Sequence, residues 1–261
     1  MTEYRTILAE RRGDVLHLTL NRPERLNALS LESAEEMSAA LAKLDGARAV
    51  LITGAGRAFC SGADLQARGE RSVSGGEASD EALTRWYNPL MARLAELPVP
   101  VVTAVNGPAA GIGCSLALAA DFAVAGRSAY FLQAFVNIGL VPDGGASWML
   151  PRLVGKARAT EMMMLGEKIG AEKAEGWGLI HACVDDDALM EHATALADRL
   201  ARGPTVALGV MRRNIARAMD GTYGDAMQRE AAGQRTAAGT ADAIEGARAF
   251  LEKRAPAFKG Q

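Results

Sequence analysis

The stretch Val99-Pro-Val-Val-Thr-Ala-Val105-Asn-Gly-Pro-Ala-Ala-Gly-Ile-Gly113-Cys-Ser-Leu-Ala-Leu-Ala-Ala120-Asp-Phe-Ala-Val-Ala125 decides the fold. Val99 to Val105 is apolar and rich in valine, the composition of a strand buried on both faces. A glycine-rich turn follows, then a helical run over Gly113–Ala120, then a second apolar strand over Asp121–Ala125. Strand, helix, strand in this order implies an α/β core with largely parallel pairing. Leu97 to Ala120 carries no charged side chain and superficially suggests a membrane span. Pro98, Pro100, Asn106, Gly107, Pro108, Gly111 and Gly113 interrupt it, so a buried strand, turn and helix is the better reading.

Upstream, Val15–Leu20 reads as a strand, with Leu16, Leu18 and Leu20 on one side and His17 and Thr19 opposite. Asn21-Arg-Pro-Glu24 is a turn, and Ser30 is a plausible N-cap for a helix through about Leu44. Ala49–Thr53 is a short buried strand ending in Gly54-Ala-Gly56. Gln66 to Asp80 is polar and weakly patterned and reads as a mobile loop; a helix is expected from about Glu81 to Glu96. Beyond Asp186 the pattern becomes helical: Asp187–Arg202, Thr205–Met219, Asp225–Ala238 and Thr240–Lys253. Their apolar positions exceed what one small core can take, and packing against another subunit would resolve this. Residues 1–200 therefore read as the core domain and 201–261 as a helical oligomerisation region.

The formal net charge of −2 and scattered Lys and Arg give no reason to expect a nucleic-acid or acidic-membrane partner. Cys60, Cys114 and Cys183 are odd in number, far apart and without metal-ligand spacing, which suits a reducing, cytoplasmic setting and no metal. The N-terminus lacks the basic start and apolar run of a signal peptide.

Two glycine loops carry chemical meaning. In Cys60-Ser-Gly-Ala-Asp-Leu65, Gly62 permits a tight turn and leaves the Ala63 N–H free to point outward. In Asn106-Gly-Pro-Ala-Ala-Gly-Ile-Gly113, the loop runs into a helix start, where N–H groups lack partners within the helix. Two such donors converging would form an oxyanion hole. Asp143, in Ile138-Gly-Leu-Val-Pro-Asp-Gly-Gly145, is a carboxylate that could move a proton beside a carbonyl held there. Asp143 after Pro142 also suits a helix N-cap, and the two roles can coexist. No histidine lies near Cys60 or Cys114 in sequence, so a nucleophilic thiol is disfavoured. Ser115 lies outside any Gly-x-Ser-x-Gly elbow and reads as structural, as does Asp64. His17, His181 and His192 fall in no catalytic motif.

Further segments carry a resemblance. Asn21-Arg-Pro with Asn27-Ala-Leu, Ala58-Phe-Cys-Ser-Gly-Ala-Asp-Leu65, Val105-Asn-Gly-Pro-Ala-Ala-Gly-Ile-Gly-Cys114, Leu150-Pro-Arg-Leu-Val-Gly155, Ala174-Glu-Gly-Trp-Gly-Leu-Ile180 and Phe250-Leu-Glu-Lys-Arg-Ala-Pro-Ala-Phe258 resemble, in order, signatures of the crotonase (enoyl-CoA hydratase/isomerase) superfamily. The resemblance implies an α/β fold: a spiral of ββα turns with an α-helical C-terminal region that builds homotrimers, often paired into hexamers. It implies an acyl-CoA thioester substrate, with no cofactor beyond the CoA that the substrate carries. The thioester carbonyl would sit between the N–H groups of Ala63 and Ile112. CoA would lie along Arg25, Leu26, Ala28, Ala63, Asp64 and Leu65, with Phe258 and Lys259 reaching a neighbouring subunit's CoA. Trp86, Tyr87, Phe135 and Trp148 are candidate acyl-pocket residues, with core packing an equal reading for Trp86 and Tyr87.

The departures from the family pattern narrow the reaction. Enoyl-CoA hydratases place two glutamates around the activated water; the matching positions here are Ser115 and Phe135, which cannot act as carboxylate acid/bases. Asp143 after Val-Pro instead resembles ring-epoxyphenylacetyl-CoA isomerases, which implies double-bond isomerisation of an acyl-CoA. Phe135, Leu140 and Trp148 are expected to raise the Asp143 pKa by desolvation. The alternatives are a hydratase with relocated acid/base groups, an aromatic acyl-CoA dehalogenase lacking its histidine and tryptophan, and a silent CoA-thioester binder.

Overall fold

Apolar residues on both faces of the central strands require cover on both sides, and the computed structural model, which describes residues 4–65 and 75–261, shows how the cover is supplied. The first strands are β1 (Ile7–Arg12) and β2 (Val15–Leu20), followed by α1 (Leu31–Ala42) and β3 (Ala49–Gly54). Next come α2 (Gly76–Ala82), a π-helical turn over Leu83–Tyr87, and α3 (Asn88–Glu96). Strand β4 (Val101–Val105), the short β5 (Ala109–Ala110), α4 (Ile112–Leu118), β6 (Phe122–Gly126) and β7 (Tyr130–Leu132) form the middle of the chain. Helix α5 (Ala146–Leu165), β8 (Ile169–Gly170), α6 (Ala171–Gly176) and β9 (Ala182–Val184) complete the sheets. Helices α7 (Leu189–Ala201), α8 (Thr205–Ala218), α9 (Tyr223–Ala238) and α10 (Ala241–Leu251) end the chain.

The larger sheet has the order β1-β2-β3-β4-β6-β9, and the smaller β5-β7-β8. Only β1–β2 is antiparallel in the larger sheet. Alternation along the strands sends Leu16, Leu18, Val50 and Ile52 to one face, where Met37, Leu90, Leu94 and Leu116 pack. Val15, Ala49, Leu51, Val102 and Val124 go to the other, under Leu189, Ala193, Ala197 and Ala201 of α7. Thus α7 belongs to the core, while α8 to α10 leave Met211, Ile215, Tyr223, Ile244, Phe250 and Leu251 exposed on this chain. Arg212 ties α8 to the core. Its nearly buried guanidinium pairs with Asp121 at 2.7 Å and donates to the carbonyls of Leu94, Ala95 and Leu97.

Most predicted elements lie within a few residues of their expected bounds, and Ser30 caps α1 through the Ser33 N–H. One predicted element differs, and strands β1, β5, β7, β8 and β9 and helix α6 have no counterpart in the sequence reading. The helix expected from Glu81 begins at Gly76, within the expected loop; residues 66–74 of that loop lie outside the described residues.

Candidate active site

The two glycine loops are stitched together. Cys60 and Ala109 form a parallel bridge; the Cys60 N–H donates to Pro108 O at 3.0 Å and the Ala110 N–H to Cys60 O at 2.9 Å. Gly62 has φ +113° and Gly111 φ +54°, backbone positions that favour glycine. A Cβ on Gly111 would lie 3.7 Å from Gly62 Cα, so the loops pass almost backbone to backbone.

Each loop fixes one peptide plane. Gly62 O accepts from the Leu29 N–H at 2.7 Å. In a trans peptide the carbonyl and the next N–H point in opposite directions, so this bond also aims the Ala63 N–H. Gly111 O accepts from Cys114 and Ser115 N–H at 3.0 and 3.2 Å, which likewise aims the Ile112 N–H out of the first turn of α4. Neither N–H has a partner among the described residues.

The Asp143 loop lies directly on that turn. Gly144 takes φ +61°, and a Cβ there would come within 2.5 Å of Ile112 Cδ1 and 2.8 Å of Ser115 Cβ. The Ser115 hydroxyl donates to Asp143 O at 2.9 Å, so Ser115 holds the loop through its backbone. The expected capping role for Asp143 is corrected here. Helix α5 starts after Gly145, with no side-chain cap, and only the Asp143 carbonyl accepts a bond, from the Ala146 N–H at 3.2 Å. The carboxylate is left over. Its Oδ1 is buried with no hydrogen-bond partner, and burial pushes the carboxyl from 3.8 up to about 6.

Of the three apolar neighbours predicted to desolvate Asp143, Phe135 is buried, with its ring 3.6 Å from where a Gly111 Cβ would stand. Leu140 is exposed. Trp148 is 39% exposed, its indole N–H donating to Asp220 at 3.1 Å and its ring stacked under the Arg152 guanidinium. The desolvation of Asp143 is as predicted, but Trp148 is turned towards the end of α8.

The residues expected to line CoA form one edge. Leu29 bridges Ala63, and buried Asp64 receives Arg22 at 2.7 Å and Arg25 at 3.2 Å. Leu26 and Asn27 adopt φ of 51° and 55°, a turn held by Asn27 Nδ2 donating to the carbonyls of Ala55 and Ala58. Ala28 O accepts from Arg22 at 2.7 Å, and Leu65 is 40% exposed beside this edge. Phe258 and Lys259 lie elsewhere. Arg48 holds Phe258 O, and Asp242 accepts from the Lys259 N–H at 2.6 Å. Arg48 precedes β3, whereas the Ala63 loop follows it, so within one protomer these groups sit at opposite ends of that strand.

Trp86 is half-buried and lines a cleft of about 300 Å³ with Ala34, Ser38, Pro89 and Arg93, between α1 and α3. Tyr87 is only 2% exposed, and its hydroxyl donates to Leu29 O at 2.8 Å. Of the two readings given to Tyr87, burial behind the Ala63 loop is the observed one. The sequence reading did not anticipate the links from Tyr87, Ser115 and Gly144 to the loops; the glycine pair after Asp143 was the visible signal for the last.

Burial pushes Cys60 up to about 11 and Cys114 to about 12, so neither is a ready thiolate nucleophile. Among the described residues, no group of three or more His, Cys, Asp or Glu side chains could hold a metal ion. No helix among them is long and apolar enough to cross a membrane.

Known proteins are similar to this chain over nearly its whole length. A family model described as enoyl-CoA hydratase/isomerase matches residues 10–261. The chain is 44% identical over 258 residues to 1,2-epoxyphenylacetyl-CoA isomerase of Escherichia coli K12, covering 98% of each. It is also 44% identical over 259 residues to a Rhodobacter capsulatus protein named "Probable enoyl-CoA hydratase", covering 99% of each. The crystal structure of an enoyl-CoA hydratase subunit I from Geobacillus kaustophilus HTA426 aligns with a TM-score of 0.92 at 35% identity over 100% of both chains.

Proposed function

The chain belongs to the enoyl-CoA hydratase/isomerase family, whose members share the crotonase fold, and we propose that it is an isomerase that moves a double bond in an unsaturated CoA thioester through an enolate. The observation that carries this reading is the Asp143 carboxylate, buried, unpartnered at Oδ1 and seated on the turn that aims the Ile112 N–H.

In this reading the thioester oxygen lies between the Ala63 and Ile112 N–H groups. As negative charge develops there, each donor lowers the barrier by roughly 3 kcal/mol. Asp143 removes a proton from C2 of a 3-enoyl thioester. The electron pair moves into the C1–C2 bond as the carbonyl π pair moves onto the oxygen, giving a dienolate. The oxygen pair then restores the carbonyl, the C1–C2 π pair moves into C2–C3, and the C3–C4 π pair takes at C4 the proton that Asp143 returns. The product is the conjugated 2-enoyl thioester, with no net gain or loss of atoms. One carboxyl serves both steps, and a carboxyl titrating near 6 is a stronger base than an ordinary aspartate, yet still ionised at neutral pH. Proton transfer needs no cofactor beyond the CoA that the substrate carries.

Hydration needs a second group to activate and deliver water, and Ser115 and Phe135 supply no carboxylate for it. The relative named as a hydratase makes that reaction the alternative to test. The exposed apolar residues on α8 to α10 support packing against further copies of this chain. The assembly we propose is the homotrimer, alone or paired, that the family resemblance implies, with Phe258 and Lys259 near a neighbour's CoA edge.

Saturated hexanoyl-CoA in heavy water isolates the enolate step from everything downstream. The wild type should exchange the C2 protons and Asp143→Asn should not. Exchange that survives in Asp143→Asn refutes the assignment of the base. No exchange in the wild type, with the thioester bound, supports a silent binder instead.

A further inference from the structure

Helix α3 is preceded by a π-helical turn over Leu83–Tyr87, an uncommon geometry that changes which face the side chains at its end present. Tyr87 closes that turn. It is 2% exposed, and its hydroxyl donates to Leu29 O at 2.8 Å, across 58 residues of sequence. Leu29 O also accepts from the Asp64 N–H at 3.0 Å, while the Leu29 N–H donates to Gly62 O at 2.7 Å. Leu29 is therefore pinned on both sides, and one of its bonds fixes the peptide plane that ends in the Ala63 N–H.

We propose that Tyr87 is a positioning residue for the oxyanion hole: its hydroxyl, acting through the Leu29 backbone, aims the Ala63 N–H at the thioester oxygen. The proposal rests on the isomerase reading for the role of that N–H, and on the hydrogen-bond chain for everything else. The bond from Tyr87 stops Leu29 from rotating, so Leu29 keeps hold of Gly62 O and the Ala63 N–H keeps its direction. The Leu29 carbonyl and the Leu29 N–H belong to neighbouring peptide planes, so the coupling is geometric. The aromatic ring fills core volume, but ring packing alone does not require the hydroxyl. A buried hydroxyl without a partner would be unfavourable, and this one is spent on the backbone that carries the loop.

The test separates the hydroxyl from the ring. Tyr87→Phe keeps the packing and removes the donor. The readout is the carbonyl stretch of carbonyl-labelled hexanoyl-CoA bound to the protein, measured by difference infrared spectroscopy, beside kcat and KM for isomerisation. In the wild type, binding should move the stretch to lower frequency. In Tyr87→Phe the stretch should return part of the way to its free value and kcat should fall roughly tenfold, because a donor aimed off line forfeits part of its effect. KM should change by less than about threefold, and the pH midpoint set by Asp143 should not move. A wild-type shift retained in full by Tyr87→Phe overturns this inference alone, even if thermal stability or kcat drops. No shift in the wild type overturns the oxyanion reading and this inference together. If Tyr87→Phe fails to fold, a ring-fluorinated tyrosine at position 87 gives a graded change in donor strength. The stretch should then follow donor strength, and a stretch indifferent to it refutes the proposal.

Discussion

Replacing Asp143 with asparagine should abolish isomerisation and, at neutral pH, make the protein more stable. The reason is the carboxylate's burial. Its folded pKa, raised from 3.8 to about 6, means that the native state holds this proton more tightly than the unfolded chain does. Stability therefore falls as pH rises through that window, and the penalty is complete above it. At about 1.4 kcal/mol per tenfold, the rise corresponds to ~3 kcal/mol carried by ionised Asp143 near pH 8. By about pH 5 the native carboxyl is mostly protonated and ~1.4 kcal/mol of that penalty has gone. An asparagine cannot titrate. Its buried amide adds a constant cost of about 1–3 kcal/mol if unpartnered, which cancels when the two pH values are compared. The assay is denaturant unfolding of wild type and Asp143→Asn at both pH values. The stability of Asp143→Asn relative to wild type should shrink by ~1.4 kcal/mol on going from about pH 8 to about pH 5. The wild-type kcat/KM should rise with pH, with a midpoint near 6. A pH-independent difference, or a rate midpoint near the ordinary carboxyl value, refutes the reasoning.

Other substitutions probe the frame around the site. Gly144→Ala drives a methyl to within 2.5 Å of Ile112 Cδ1 at a φ of +61°, so the Asp143 loop must lift; kcat should fall by roughly 10- to 100-fold, and an unchanged kcat would show that the loop position is unimportant. Arg212→Met takes the guanidinium from Asp121, which keeps the Val101 N–H, and from three carbonyls, so unfolding should come about 3–5 kcal/mol sooner, and Arg212→Lys should not restore it; full stability in the lysine variant would contradict the need for a guanidinium. Thiol labelling of the native protein should modify Cys183 alone, with Cys60 and Cys114 reacting only after unfolding; rapid native labelling of either would revive a nucleophilic cysteine.

The central strands were legible because β3 and β4 are continuous apolar runs, and the helices because their apolar positions recur at helical spacing. Strand β1 was hidden by three consecutive exposed charged residues, Glu10, Arg11 and Arg12, since an outer strand needs only a few apolar contacts. Ala63 and Ile112 could be read as donors because glycine marks the turns that free them. Asp143 stood out as an acid in a glycine loop, but its loss of the capping role could not be read, because Gly145 takes the cap. Tyr87, Ser115 and Gly144 act through contacts with residues far away in sequence. Nothing in the spacing of Tyr87 announces Leu29, 58 residues earlier, or in that of Ser115 announces the Asp143 carbonyl, 28 residues later.

The most direct measurement is incubation of wild type and Asp143→Asn with 3-hexenoyl-CoA, followed by ultraviolet absorbance and mass. The account predicts conjugated-thioester absorbance at unchanged mass with the wild type, and none with Asp143→Asn. A product heavier by one water, or isomerisation that persists without the Asp143 carboxylate, would contradict it.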